Sequence, residues 1–457
     1  MTLTPRRTTP RRAASRRPRP VRPGGAHHPG AGRTIGLGVQ HALVMYAGAI
    51  AVPLMFGAGA GLDTAAVSTL VNADLFVAGI ITIVQSLGAG RFLGVRRPLV
   101  TGGSFVCVTP MIMIAREYGM PAVYGSMIAA GVFGMLVAVP FARLLRAFPP
   151  LVSGVVITVV GLALIGAAPG MIAGDDPAAA DYAPPVHLAL AGGVIGCLLL
   201  LRRLLRGFLA QVSVLLALLA GTLAAVPAGL IDFSGVGSAD WLGIVTPFRF
   251  GAPEFPLAGV VSMCVVMLVV FAESTAQMIA VSEAVQQPLT DRELGRGLAA
   301  DGLSGVLGGA MNSFPDTVFA GNIGLTIMTG VRSRYVTAVG GALMMFLGTL
   351  PKLGELIASL PRPVVGGASL ICFATVAMVG VDILRRAGLD RGDNLLIAAA
   401  AIGTGMLPVV APRIYHAFPQ WWQLVFGSPS TAALVVALGL HLLFRRRRAE
   451  EPPERAA

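Results

Sequence analysis

The stretch VSMCVVMLVVFAESTAQMIAVSE (261–283) decides the fold. Its first twelve residues carry no charge, so a helix over them is apolar on every side. Such a helix belongs in a protein core or a membrane. The apolar run begins near 257 and continues to about 281, enough for the roughly 20 residues that a bilayer core demands. Whole-chain composition separates the two settings. Of 457 residues, 55% are hydrophobic and 12% charged, whereas a soluble domain carries about 25% charged residues. A soluble globule must wet its surface and cannot be this apolar. The composition excludes a disordered chain, a coiled coil, a disulfide-stapled secreted domain and an ordinary cytosolic enzyme. It describes an all-α polytopic membrane protein.

Outward from 257–281, thirteen further apolar runs are expected to span. They are 35–57, 66–90, 98–115, 121–141, 151–170, 186–201, 208–230, 298–312, 317–330, 335–350, 362–381, 394–411 and 430–444. Basic residues test this reading, because cytoplasmic loops collect them. Fifteen fall in alternate loops read as internal, among them Arg91, Arg96, Arg97, Arg202, Arg203, Arg385 and Arg386; five fall in the loops between. Nine Arg precede residue 34, and Arg445 to Arg448 close the last run. Both termini are therefore read as cytoplasmic, beside anionic lipid, in a cell membrane. The net charge of +12 then reflects orientation and lipid contact and calls for no nucleic-acid partner. Residues 1–33, rich in Pro, Gly and Arg, read as a disordered tail, residues 34–445 as the spanning domain, and 446–457 as a second tail. The four Cys (107, 197, 264, 372) show no ligand spacing and read as small buried hydrophobes. No cofactor or metal motif and no catalytic set appears, so an ion gradient is the expected energy source.

Fourteen spans divide into two sevens, and an odd repeat inverts the second half. TGGSFVCVTP (101–110) in the third run and NSFPDTVFAGNIG (312–324) at the tenth both carry Gly, Pro, Ser or Thr where a continuous helix disfavours them. Paired breaks at matching positions point to a midplane binding site. The alternative is a pair of Gly-rich helices packed closely. Short non-helical breaks, with strand segments, are expected there.

Polar residues inside the runs carry the functional reading. An acidic group deep in a bilayer costs about 3 kcal/mol on insertion scales, so Glu273 is expected to face a cavity and to carry protons. Gln277 lies one turn on, on the same face. Gln40 and His41 lie in the first run, His41 as either a packing residue or part of a hydrogen-bond network. Asp301 opens the ninth run and Asp316 precedes the tenth; each is a functional group or an interfacial cap. Asp74, in the second run, is open between function and structure.

These motifs resemble the nucleobase–ascorbate transporter family, the nucleobase:cation symporters, over most of residues 35–445. The resemblance rests on VQHALVMYAGAIAVPL (39–54), GGSFVCVTP (102–110), AFPPLVSGVVITVVGLALIG (147–166), RGFLA (206–210), FAESTAQ (271–277) and AGNIGLTIMTGVRSRY (320–335). It implies a core of spans 1–4 and 8–11 (35–141 and 257–350) and a gate of spans 5–7 and 12–14 (151–230 and 362–444). It also implies a homodimer. Glu273 would accept from ring N–H groups of a nucleobase, with Ser104 and Phe105 flanking, Gln277 beside it, and Gly321 and Asn322 opposite. Asp301, His41, Gln40 and Thr329 would organise the site or couple it to protons. One departure stands out: where the family places Gln, Glu or Pro, this chain has Gly321, which implies a roomier site. The ending Thr329–Gly330 resembles the purine branch. A proton-coupled importer of xanthine or urate is the expectation, with uracil permease or a sulfate-permease-type anion transporter as alternatives, and a non-transporting receptor behind them.

Overall fold

A bilayer offers backbone groups no partners, so a spanning chain must satisfy them internally. This chain does so almost entirely with helices. The computed structural model describes residues 30–450 apart from 146–149, 175–178, 180, 181, 232, 331 and 391. The tail read as disordered lies, up to residue 29, outside the described residues, as do 451–457. In chain order come α1 (Ala31–Ala49), α2 (Ala51–Ala60), α3 (Thr64–Leu87), strand β1 (Thr101–Gly103), α4 (Val108–Tyr118), α5 (Met120–Leu145), α6 (Pro150–Ala173), α7 (Pro185–Leu204), α8 (Phe208–Gln211), α9 (Ser213–Ala225) and α10 (Ser234–Ser238). The second half runs α11 (Leu257–Ala284), α12 (Asp291–Met311), strand β2 (Asp316–Val318), α13 (Ala320–Thr329), α14 (Arg334–Gly348), α15 (Pro351–Ala358), α16 (Arg362–Ala387), α17 (Asn394–Val410), α18 (Gln420–Phe426) and α19 (Pro429–Glu450).

Among the described residues, seven helical stretches are long and apolar enough to cross a membrane, counting α1 and α2 as one, and an eighth results if α14 and α15, bent by 81°, count together. The remaining runs hold shorter helices or strand–helix pairs. Thus the third run holds β1, a 3₁₀ turn at Phe105–Cys107 and α4, and the tenth holds β2 and α13.

The ninth run begins earlier than its apolar pattern suggested. Thr290 Oγ1 accepts from the Glu293 backbone N–H at 3.3 Å, and Glu293 Oε2 accepts from the Thr290 N–H at 3.0 Å. This capping box starts α12 at Asp291. Asp301, expected at the helix start, is therefore mid-helix and fully buried, and it caps nothing.

The two strands pair antiparallel, with Thr101 opposite Val318, Gly102 opposite Thr317 and Gly103 opposite Asp316. Flanking bonds lengthen the ladder: Ser104 N–H donates to the Pro315 carbonyl at 2.9 Å, and Phe319 N–H donates to the Val100 carbonyl at 2.8 Å. Two three-residue strands would not persist alone. Here every ladder residue is buried, walled by α3 and α11.

Helix packing repeats between the halves. α5 lies along α12 as α3 lies along α14; α11 packs on α5 as α1 packs on α14; α7 and α9 pair as α17 and α19 pair. α6 and α16 form the other long contact. α1 to α5 and α11 to α15 thus cluster, as do α6 to α9 and α16 to α19. Contacts between the clusters are few and run mainly from α11 to α6, α18 and α19.

Candidate functional site

The ladder is where the expected residues converge. Ser104 follows β1 with an extended backbone, and its side chain caps the 3₁₀ turn by accepting from Val106 N–H. Its hydroxyl also donates to Glu273 Oε2 at 3.3 Å. Glu273 comes from the middle of α11, whose apolar faces fix its depth. Thr317 of β2 stands beside both Glu273 and Ser274: its hydroxyl lies 3.0 Å from that of Ser274, and Ser274 Oγ accepts from Val318 N–H at 3.4 Å. The carboxylate is thus held by hydroxyl groups from two broken segments. It remains half-buried and lines a small crevice with Ser153, Val156 and Ile157 of α6 and Leu434 of α19.

Phe105 adjoins this crevice. Its ring meets Phe373 of α16 edge-on, centroids 5.6 Å apart at 77°, and it lines a second crevice with Thr109, Val160, Ala163 and Ser430. Both crevices lie on the seam between the helix clusters. Gln277 is buried one turn beyond Glu273.

The first-span and tenth-span motifs also meet. Asn322, near the start of α13, lies with its amide nitrogen 3.0 Å from His41 Nδ1 and donates to the His41 carbonyl at 2.8 Å. Both residues are buried, so His41 belongs to a network tying α1 to α13. Gln40, half-buried, lies outside that contact. Thr329 sits at the far end of α13, where its hydroxyl donates to the Leu325 carbonyl at 2.7 Å.

Gly321 departs from expectation. The space a side chain would enter is not open: a Cβ there would lie 3.0 Å from Phe319 Cε1 and 3.5 Å from Val44 Cγ1. The Phe319 ring is seated against Gly48, where it would collide with any Cβ. An aromatic ring occupies the room that the glycine leaves.

Asp301 is tied to α3 by Gln85, a residue outside the candidates named from the sequence, and stands beside Ser274 at the crossing. Gln85 of α3 donates to Asp301 Oδ1 at 2.9 Å and to the Gly297 carbonyl at 2.9 Å, and its Oε1 accepts from Val95 N–H at 3.2 Å. A fully buried Gln among apolar neighbours in ITIVQSLG (81–88) was the available signal. Among the described residues, no group of three or more His, Cys, Asp or Glu is placed to hold a metal ion.

A bundle of apolar helices, interrupted twice so that strands cross beside a buried carboxylate, defines the class as a polytopic membrane transport protein. A profile of the Permease family matches residues 32–414, and the chain belongs to that family, the nucleobase–ascorbate transporters. It is a transporter, not an enzyme. It is 39% identical over 418 residues to the uric acid transporter UacT of Escherichia coli (strain K12), covering 90% of this chain and 86% of that protein. It is 37% identical over 415 residues to a xanthine permease of Bacillus subtilis (strain 168), covering 91% and 94%. Among solved structures it resembles the transmembrane domain of the cyanobacterial bicarbonate transporter BicA, with a TM-score of 0.61 at 15% identity over 89% of this chain and 98% of that one. It also resembles SLC26A9, with a TM-score of 0.63 at 11% identity over 91% and 66%. These two likenesses speak to the fold alone.

Proposed function

We propose that this protein is a proton-coupled importer of a purine nucleobase, xanthine or urate, working by alternating access. The observation that carries the reading is the Glu273 carboxylate, held by hydroxyls at the strand crossing and facing the seam, in a chain related to uric acid and xanthine permeases. A carboxylate accepts from ring N–H groups, and the backbone of the broken segments supplies partners for ring carbonyls. Phe105 would flank the ring, Gln277 and Ser104 would stand at its edge, and the backbone at Gly321 would close the far wall. Asn322 and His41 would hold that wall in place. Glu273 and Asp301 would carry the coupling proton.

The strand–helix pairs and shorter helices complete fourteen spans in two inverted sevens, a reading the mirrored packing of the halves supports. The cluster of α1 to α5 with α11 to α15 is the core, and that of α6 to α9 with α16 to α19 is the gate. The sparse contacts between them suit sliding of one past the other. The basic loops support a cell-membrane protein with both termini cytoplasmic, and a homodimer is proposed by family likeness.

The test is uptake of radiolabelled xanthine, urate and uracil by cells lacking their own permeases. Saturable xanthine or urate uptake that an uncoupler abolishes is expected, and Glu273→Gln should remove it. Uptake insensitive to the uncoupler, or unchanged in the variant, would sink the coupling claim. Preference for uracil, or competition by sulfate instead of purines, would replace the substrate.

A further inference from the structure

Three more carboxylates are buried round the ladder, and the importer reading assigns a task only to Asp301. Asp316 is the ladder partner of Gly103 and is 0% exposed. Neither of its carboxylate oxygens has a hydrogen-bond partner. Its backbone N–H donates to Ser304 Oγ at 2.8 Å, and that hydroxyl is spent on the Asp301 carbonyl at 2.6 Å. The Thr101 hydroxyl beside it is engaged by the Ala78 carbonyl at 3.4 Å and by the Thr82 hydroxyl at 3.2 Å.

Asp74 reaches the same ladder residue from α3. A methyl group on Gly103 would stand 2.9 Å from Asp74 Oδ1, so a glycine is what lets the carboxyl approach the strand. Asp74 has one weak partner, Ser313 Oγ, which donates to Oδ1 at 3.4 Å. Asp301 Oδ2 has no donor in close hydrogen-bond geometry, the Ser274 hydroxyl being the group that stands beside this carboxyl. The charged groups acting on Asp316 are both acids, Asp74 and Asp301, while Glu273 acts on Asp301. The Cys107 thiol is the other titratable group at the crossing.

Unpaired anions so placed would repel one another, and each is costly without solvent or a cation. A neutral carboxylic acid escapes both penalties and can donate to a neighbouring carboxyl. We propose that Asp316 and Asp74 share a proton behind the β1–β2 crossing, forming a proton store separate from the Glu273 oxygens, with Asp301 linking the two. This rests on the proton-coupled reading above. Release breaks the Asp316 O–H bond, passes the proton to water and leaves a carboxylate facing Asp74. That charge favours a different packing at the crossing, so proton release and movement of the broken helices are one event.

The test uses the full chain in proteoliposomes under an imposed pH gradient, with whichever of labelled xanthine and urate the wild type carries. In Asp316→Asn, gradient-driven accumulation should fall about tenfold or more and the pH profile of uptake should flatten. Exchange of labelled for unlabelled substrate needs no net proton movement and should stay within about twofold. Asp74→Asn should behave alike, and Asp316→Glu should restore accumulation. Wild-type transport indifferent to the gradient would overturn the coupled reading itself. Where the wild type is driven, an Asp316→Asn protein that accumulates normally, or that loses exchange and accumulation together, overturns the proton store. So does sodium-driven accumulation that the substitution abolishes. If Asp316→Asn does not reach the membrane, the same outcomes in Asp74→Asn decide.

Discussion

Single residues set what the site can recognise. Where the chain lacks the family's usual side chain at 321, Phe319 fills the space, so Gly321→Gln must displace the ring by a few tenths of an ångström. The ring also abuts Gly48 and packs on the core, so the flexible part that must yield is the short α13 start. The new amide would then offer a hydrogen bond worth about 0.5–1.5 kcal/mol, shifting the xanthine-to-urate uptake ratio by roughly 2- to 10-fold. An unchanged ratio with normal expression would mean that position 321 does not meet the substrate. Asn322 makes a different prediction. Asn322→Ala leaves the His41 ring and carbonyl without their donor. An unsatisfied buried acceptor costs about 1–3 kcal/mol, so thermal unfolding in detergent should show a loss of that order alongside weakened uptake.

Elements place those residues, and here the sequence was legible unevenly. Long apolar runs announced themselves: 257–281 became Leu257–Ala284, and 151–170 became Pro150–Ala173. The breaks at 101–110 and 312–324 were legible because Gly, Pro and hydroxyl residues interrupt an apolar pattern. Their pairing into one antiparallel ladder was not, since three-residue strands from distant segments leave no periodic trace. The start of α12 is not legible from hydropathy, because DRELGRG (291–297) carries charges that such a pattern assigns to a loop, while the structure spends them on the first helical turns. Gln85 was not legible, because nothing local shows that its partner lies 216 positions away. The capping box makes this element testable. Thr290→Ala removes an N-cap worth about 0.5–2 kcal/mol. The start of α12 should then fray, read as faster amide exchange over 291–296 with a small drop in melting temperature. Asp301, buried ten residues further in, should keep its protection.

The whole molecule turns on the seam. The two helix clusters hold together internally through long contacts, α5 with α12 and α6 with α16, but meet across small crevices lined by side chains from both. Apolar surface buried within each cluster resists separation, whereas the thin seam costs little to remake, which is the mechanical condition for alternating access. Thr109 at the start of α4 and Ser430 at the start of α19 line the same crevice. In a background without the four native cysteines, Thr109→Cys with Ser430→Cys should cross-link through a short bifunctional thiol reagent and fix the seam. Uptake should fall by about tenfold or more, because the step that exposes the site to the other side is blocked. A matching pair within one cluster supplies the control. Arg97 and Glu293 form a 3.2 Å ion pair within the cluster of α1 to α5 with α11 to α15, and Arg97→Cys with Glu293→Cys, cross-linked by the same reagent, should transport nearly as well as before treatment. If the seam pair is cross-linked and uptake continues, the clusters do not move against each other there, and the core-and-gate division fails.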